Sequence, residues 1–271
     1  MKTPQLIRRF VESSAERGVL ARVLQQLPSD RGARARRRLR RFVRPARLGT
    51  LRSPIPLSED FGWDRGSPVD RYYIKRFLAA NRRDIRGRVL EVKDRTYTKQ
   101  FGTGVDAEEV LDVDPTNPQA TIVADLADAD EIPEASFDCV ILTQTLQFIY
   151  DVRSAITHVH RVLKPGGVVL ATMPAISPIV DDDELPYYWR FTAASSVALF
   201  GDVFGHGSVR VREYGNVLAA IAFLAGMACE ELTRQELEAH DRRFTVVVSV
   251  RAVKQDGAGR SAHAGGAPRD V

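Results

Sequence analysis

Two stretches of the sequence decide the fold. Residues 136–143 read Ser-Phe-Asp-Cys-Val-Ile-Leu-Thr, and residues 161–172 read Arg-Val-Leu-Lys-Pro-Gly-Gly-Val-Val-Leu-Ala-Thr. Each contains a short run of β-branched and aliphatic residues, and a segment of helical length, residues 151–163, lies between the two runs. Strands that alternate with helices are typical of βαβ units, whose strands are parallel.

The same alternation continues on both sides of this unit. Further β-rich runs occupy residues 88–92, 110–113, 121–124, 209–213 and 244–253. Asp70 precedes a helical pattern over residues 71–78, which predicts that its carboxylate caps that helix. We therefore predict an α/β fold built on a doubly wound, mostly parallel sheet with flanking helices.

Composition places the chain among ordinary globular proteins. It has 271 residues, of which 44% are hydrophobic and 27% are charged, which excludes wholesale disorder and a small disulfide scaffold. Cys139 and Cys229 lie 90 positions apart, each in an apolar run. This is no zinc-ligand spacing, so we expect two core cysteines in a reducing compartment and no metal site.

Positive charge is concentrated near the N-terminus. Residues 1–60 hold 15 Lys and Arg against 5 Asp and Glu, whereas residues 61–271 hold 24 against 30. The domain is mildly acidic, so we expect no nucleic-acid partner. The arginines of residues 31–47 have two interpretations: a patch that contacts anionic lipid headgroups, or a solvated leader.

Three parts follow from this composition. Residues 1–52 are predicted to be a basic helical leader, partly disordered; residues 53–254 the α/β domain; and residues 255–271 a disordered tail. The longest apolar run, residues 217–229, has 13 residues, short of the roughly 20 that a membrane span needs. We expect a cytoplasmic protein, with peripheral attachment to the inner face of the membrane if residues 31–47 bind lipid.

Polar residues follow the predicted strands at the points where a parallel sheet binds ligands. Glu91, Asp114 and Asp125 come after the first three strands, and Thr143 and Gln144 come after the fourth. An acid after the second strand is well placed to accept both hydroxyls of a ribose. The alternative for Asp114 is that it only opens the turn of residues 114–118.

Glu91, Asp114, residues 124–126 and the two opening stretches together resemble the class I S-adenosylmethionine-dependent methyltransferases, in particular the bacterial type-11-like domain. The resemblance covers about residues 61–254 and implies a seven-stranded Rossmann-like sheet whose last strand is antiparallel. It also implies S-adenosylmethionine as the cofactor. Carried over by position, the resemblance places Asp114 at the ribose and Asp125 with Leu126 at the adenine. It places Glu91 either at the loop after the first strand or, through water, at the methionine end. Thr143 and Gln144 would border the methionine moiety and the acceptor entrance.

One motif departs from the family pattern. The glycine-rich loop Glu-x-Gly-x-Gly-x-Gly has Lys93, Arg95 and Tyr97 at its glycine positions. Because these side chains resist positive φ, we expect the loop to take another course or to have lost the cofactor. Asp94 is a candidate for the methionine ammonium and Tyr97 for packing over the ligand, with a solvated polar loop as the alternative.

The implied function is methyl transfer to a small-molecule or glycan-precursor acceptor. The alternative is a catalytically silent methyltransferase-like binding module, which the altered loop favours. Residues 186–192, Pro-Tyr-Tyr-Trp-Arg-Phe-Thr, follow the fifth strand and are predicted either to contact a sugar or aromatic acceptor or to fill the core. No residue stands out as a catalytic base, and the sequence sets no oligomeric state.

Overall fold

The computed structural model describes residues 49–179 and 186–255. The chain divides into two compact units, Met1–Pro54 and Ile55–Val271, and a short 3-10 helix, Gly49–Leu51, belongs to the first. The predicted leader helix, the arginines of residues 31–47 and nearly all of the predicted tail lie outside the described residues.

A seven-stranded sheet forms the centre of the second unit. Its strands are β1 Gly87–Val92, β2 Val105–Asp112, β3 Ile122–Val123, β4 Phe137–Thr143, β5 Leu163–Pro174, β6 Val209–Tyr214 and β7 Val247–Val253. Their order is β3-β2-β1-β4-β5-β7-β6. β7 is antiparallel to both of its neighbours and every other pair is parallel, which confirms the predicted fold class.

Helices cover both faces of this sheet. They are α1 Val69–Ala80, α2 Thr96–Phe101, α3 Val152–Val162, α4 Ala193–Phe204, α5 Val217–Leu224 and α6 Arg234–Glu238. One buried cluster joins the sheet to α3 and α4, and a second joins the other face to α1 and α5. None of the described helices is long and apolar enough to span a membrane.

Three strands begin more than one residue away from their predicted starts. β2 begins at Val105 rather than at 110, because most of its first residues are only half-buried and give no apolar run. β5 begins at Leu163 and includes the Lys-Pro-Gly-Gly segment that the sequence marks as a turn. β7 begins only at Val247, since residues 242–244 form a 3-10 helix capped by Asp241.

Asp70 does not cap α1. The helix begins one residue earlier, at Val69, and its N-cap residue is Pro68. Asp70 lies inside the first turn with only 7% of its surface exposed, and its Oδ2 accepts a hydrogen bond of 2.8 Å from Arg71 Nη1. The predicted capping role is therefore wrong, because the carboxylate belongs to the buried interior of the domain.

Candidate active site

The carboxyl ends of the parallel strands form one edge of the sheet, and the site is built there. β1 lies between β2 and β4, so the chain runs outward to one side of β1 and then returns to the other. Ligands of open α/β sheets bind at such a reversal of strand order. The structure brings the predicted residues that follow β1, β2, β3 and β4 to this edge.

Glu91 is the most buried acid of this edge, with 2% of its surface exposed. Its Oε1 accepts from the Tyr97 N–H at 2.9 Å, and its Oε2 accepts from the N–H and the hydroxyl of Thr98, both at 2.7 Å. Burial raises the pKa of Glu91, although the hydrogen bonds from Thr98 and Tyr97 act in the opposite direction. Glu91 thus fixes the start of α2 and holds the loop after β1, the first of the two roles predicted for it.

That loop is short and has an unusual backbone. Lys93 has φ 76°, in the left-handed region, at the first of the three positions where the family pattern has glycine. Lys93 therefore adopts the left-handed backbone that glycine would take here, at a steric cost to a residue other than glycine. Arg95, at the second position, has φ −108° and directly precedes α2, and Tyr97, at the third, lies inside that helix.

Asp94 precedes α2 in the chain, and Tyr97 lies in the first turn of that helix. Asp94 Oδ1 accepts from the Thr96 N–H at 2.8 Å, so one of its oxygens supports the loop. The Tyr97 ring stacks on Phe101 at a centroid distance of 6.4 Å, and burial raises the pKa of its phenol. Tyr97 is therefore half-buried against Phe101 rather than part of a solvated loop.

Asp114 is exposed just beyond β2 and opens a turn. Its Oδ1 accepts from the N–H and the hydroxyl of Thr116 at 2.8 and 2.7 Å, and these bonds lower the pKa of the carboxyl. Its Oδ2 accepts no hydrogen bond from any described residue. Asp114 therefore does open the turn with its Oδ1, and its Oδ2 stays available to a ligand at the edge of the sheet.

Asp112, which sequence reasoning missed, reinforces the same corner. It is the last residue of β2, and its Oδ2 accepts from Asn117 Nδ2 at 2.6 Å. The same Asn117 amide donates to the Lys93 carbonyl at 2.7 Å, which ties the turn after β2 to the loop after β1.

Asp125 and Leu126 follow β3. Asp125 is exposed, and its Oδ1 caps a 3-10 turn by accepting from the Ala127 N–H at 2.8 Å. Leu126 is buried in the core beneath it. Asp125 therefore keeps its second carboxylate oxygen exposed, whereas the Leu126 side chain packs into the core.

Thr143 and Gln144 lie at the end of β4. Gln144 has φ 50°, and its N–H donates to the Thr172 carbonyl of β5 at 2.8 Å. Its Nε2 is buried and has no hydrogen-bond partner among the described residues. The side-chain amide of Gln144 is therefore a donor without a protein acceptor in this part of the chain.

Residues 87–171 match the family model described as a methyltransferase domain. This stretch includes β1 to β4 and most of β5, and it is similar to a methyltransferase domain. No curated protein matches the sequence.

Solved structures of several methyltransferases resemble this one at low identity. A putative methyltransferase of Haloferax volcanii, in complex with the Trm112 activator, is 17% identical, over 69% of this chain and 92% of that chain, with a TM-score of 0.46. An S-adenosylmethionine-dependent methyltransferase of Mesorhizobium loti is 16% identical, over 71% of this chain and 100% of that chain, with a TM-score of 0.46. The Haemonchus contortus phosphoethanolamine N-methyltransferase 2, in complex with S-adenosyl-L-methionine, is 16% identical, over 67% of this chain and 52% of that chain, with a TM-score of 0.46.

An aromatic segment follows β5 and is attached to the loop after β4. The Tyr188 and Trp189 N–H groups both donate to the Gln147 carbonyl, which attaches this segment to the loop after β4. Tyr150, Tyr188 and Trp189 are 72%, 47% and 40% exposed, and the Tyr150 ring lies 5.3 and 6.1 Å from the other two. Tyr187 instead packs on Phe148. Of the four aromatics of residues 186–192, Tyr188 and Trp189 are thus surface residues and Tyr187 is half-buried. Phe191 is 4% exposed and lies in the core, so the core-filling alternative holds for Phe191.

Proposed function

We propose that the domain binds S-adenosylmethionine at the carboxyl edge of β1 to β4 and transfers its methyl group to a small-molecule or glycan-precursor acceptor. The observation that carries the cofactor assignment is the set of ligand-facing groups at the switch point. Asp114 and Asp125 each keep a charged oxygen that no described residue occupies, and the buried Gln144 Nε2 has no partner among the described residues.

These groups match the cofactor part by part. Asp114 accepts from the ribose hydroxyls, Asp125 accepts from the adenine amine beside Leu126, and Thr143 with Gln144 borders the methionine moiety. Glu91 acts through the loop after β1, because its two oxygens are already used by Tyr97 and Thr98. S-adenosylmethionine supplies a methyl group made electrophilic by the sulfonium, so the protein has to align the acceptor and exclude water.

An exposed aromatic cluster supports a sugar-like acceptor. Tyr150, Tyr188 and Trp189 form a platform beside the end of β4, where an acceptor would approach the methionine end. Aromatic rings bury large apolar areas with little loss of side-chain entropy, and the apolar faces of sugar rings pack on them. We assign this platform to the acceptor.

Calorimetric titration with S-adenosylmethionine tests the cofactor assignment. We expect saturable one-site binding. Absence of binding would favour the silent-module alternative, which the side chains of Lys93, Arg95 and Tyr97 at glycine positions support.

Release of S-adenosylhomocysteine in the presence of nucleotide sugars and methyl glycosides tests the acceptor assignment. Trp189→Ala should raise the acceptor KM roughly tenfold, because it removes part of the stacking surface, and should leave cofactor binding unchanged. An unchanged KM would remove the platform from the site.

A further inference from the structure

We propose that Asp70 and Arg71, on the first turn of α1, bind the amino-acid end of S-adenosylmethionine, with Asp70 Oδ1 accepting from the ammonium and Arg71 donating to the carboxylate. This inference rests on the proposed function and names two residues that none of the sequence motifs includes. It assigns to a charged pair the part of the cofactor that a glycine-rich loop approaches elsewhere in the family.

The first turn of α1 lies at the carboxyl edge of the sheet. Val69, next to Asp70, is fully buried in the cluster against which Tyr97, after β1, and Ile176, after β5, also pack. The Asp70 charge raises the pKa of Tyr97 and of Tyr187, which follows β5. The Tyr73 ring, one turn further along α1, stacks on Tyr214 at the end of β6 with a centroid distance of 5.8 Å. β5 and β6 are both antiparallel to β7, so the end of β6 lies at the carboxyl edge of the parallel strands and the start of α1 lies toward that edge.

The Asp70 carboxylate is only half used by the protein. Arg71 Nη1 donates to Oδ2 at 2.8 Å, whereas Oδ1 is buried and accepts from no described residue. A buried carboxylate oxygen that accepts no hydrogen bond lowers the stability of the fold. We infer that a bound ligand supplies the missing donor. Burial raises the pKa of Asp70, although the Arg71 charge and the backbone N–H groups of Arg71 and Asp70 act in the opposite direction.

Arg71 is held in place beside this oxygen. Its guanidinium is paired with Asp70 on one side and lies 5.8 Å from the Trp63 ring centroid on another. One nitrogen contacts Asp70, so the remaining N–H groups of the guanidinium are available to an anion. The Arg71 charge also lowers the pKa of Tyr97, which places it on the same side of the domain as the loop after β1.

The charge pattern of the pair matches an α-amino acid. The methionine end of the cofactor is a zwitterion, with an ammonium and a carboxylate on one carbon. An adjacent carboxylate and guanidinium provide the complementary signs at the same short spacing. Desolvating both charges of the ligand is then offset by two charge-assisted hydrogen bonds rather than by one.

The other acids of the edge are less suited to the ammonium. Glu91 uses both oxygens at the start of α2, and Asp94 uses one for the same purpose. Asp114 and Asp125 follow β2 and β3, on the far side of β1 from β4. Among the described residues, Asp70 is therefore the buried acid near this edge with an oxygen that accepts no hydrogen bond.

Two ligands separate this role from a structural one. S-adenosylhomocysteine has the amino-acid end, whereas 5′-methylthioadenosine has the same nucleoside and sulfur without it. In the full-length chain, Asp70→Asn should weaken S-adenosylhomocysteine by roughly ten- to a hundredfold and change 5′-methylthioadenosine by less than about threefold. Arg71→Gln should show the same selectivity, and Asp94→Asn tests the other candidate for the ammonium. Asp106→Asn, at an exposed acid near the start of β2, serves as the matched control that should leave both affinities unchanged.

Each result of this titration is decisive. Equal weakening of both ligands by Asp70→Asn would show a structural role and overturn the inference, as would an unchanged affinity for S-adenosylhomocysteine. Selective weakening by Asp94→Asn alone would move the ammonium to Asp94. If the unaltered protein binds neither ligand, the proposed function itself fails. If Asp70→Asn does not fold, Asp70→Ser replaces it. A second test then uses the unaltered protein with the deaminated analogue of S-adenosylhomocysteine, which the inference requires to bind more weakly than S-adenosylhomocysteine.

Discussion

Lys93 occupies a backbone conformation that glycine adopts without steric cost. Its φ of 76° places Cβ close to the following carbonyl, which costs about 1–2 kcal/mol for a residue other than glycine. Lys93→Gly removes this strain but gives the unfolded chain more freedom, worth about 0.5–1 kcal/mol. We expect a net stabilisation of roughly 0.5–1 kcal/mol in urea unfolding. Lys93→Val should destabilise instead, and equal stability of the two variants would contradict a strained backbone.

Asp114 has two roles that one pair of variants separates. Asp114→Ala removes the ribose acceptor together with the turn, and should weaken S-adenosylhomocysteine roughly ten- to a hundredfold in calorimetry. Thr116→Val removes one hydrogen bond to Oδ1 and keeps the carboxylate, so the affinity should change little. If Thr116→Val weakens binding as much as Asp114→Ala does, Asp114 serves the turn alone.

Asp70 makes the stability of the domain depend on pH. Its pKa is raised above 3.8 in the folded state because burial outweighs the Arg71 charge, so its contribution is fully present below the unfolded pKa and is lost as the pH rises through the folded pKa. The other groups coupled to it, Tyr97, Tyr187 and Cys229, have raised pKa values and stay neutral in this range. Relative to Asp70→Asn, the unaltered protein should therefore lose free energy of unfolding as the pH rises above 3.8 toward the folded-state pKa. A difference that does not vary with pH in urea titrations would contradict this.

At the scale of elements, α2 depends on a residue outside itself. This six-residue helix is too short to form alone, and the carboxylate of Glu91 receives three hydrogen bonds from its first turn. Glu91→Ala leaves these donors unpaired and should lower the free energy of unfolding by about 2–4 kcal/mol. Thr98→Val removes only the hydroxyl bond and should lower it by about 1 kcal/mol. Equal effects in urea unfolding would show that the backbone bonds do not stabilise α2.

The elements were predictable where burial follows a simple period. β4 and α3 lie within one residue of their predicted bounds because both have continuous or evenly spaced apolar residues. β2 was too short in the prediction, because its start is partly exposed and carries Asp106, Glu108 and Glu109. The Lys-Pro-Gly-Gly segment was predicted as a turn because its residues favour turns, whereas pairing with β4 and the backbone of Lys254 extends β5 through it.

At the scale of the whole molecule, the site divides into a predictable and an unpredictable half. Asp114, Asp125 and Gln144 follow strands, so the sheet topology alone places them at one edge. Asp70 reaches that edge because α1 packs across the sheet, and its local sequence resembles an ordinary helix cap. Long-range packing of this kind leaves no local pattern, and the buried unpaired oxygen of Asp70 is visible only in three dimensions.

The charge asymmetry of the chain predicts a salt-dependent contact with anionic membranes. Nine arginines between residues 31 and 47 precede a mildly acidic domain, and each basic residue near an anionic bilayer contributes about 1 kcal/mol. The full-length protein should sediment with vesicles containing phosphatidylserine at low salt and be released as salt screens the attraction. Replacing the nine arginines by glutamine should abolish sedimentation, whereas replacing the exposed Arg82, Arg83 and Arg86 of the domain should not. Sedimentation that survives the first replacement, or that is insensitive to salt, would show that residues 31–47 do not bind the membrane by charge, and a lipid-linked glycan acceptor would lose its physical support.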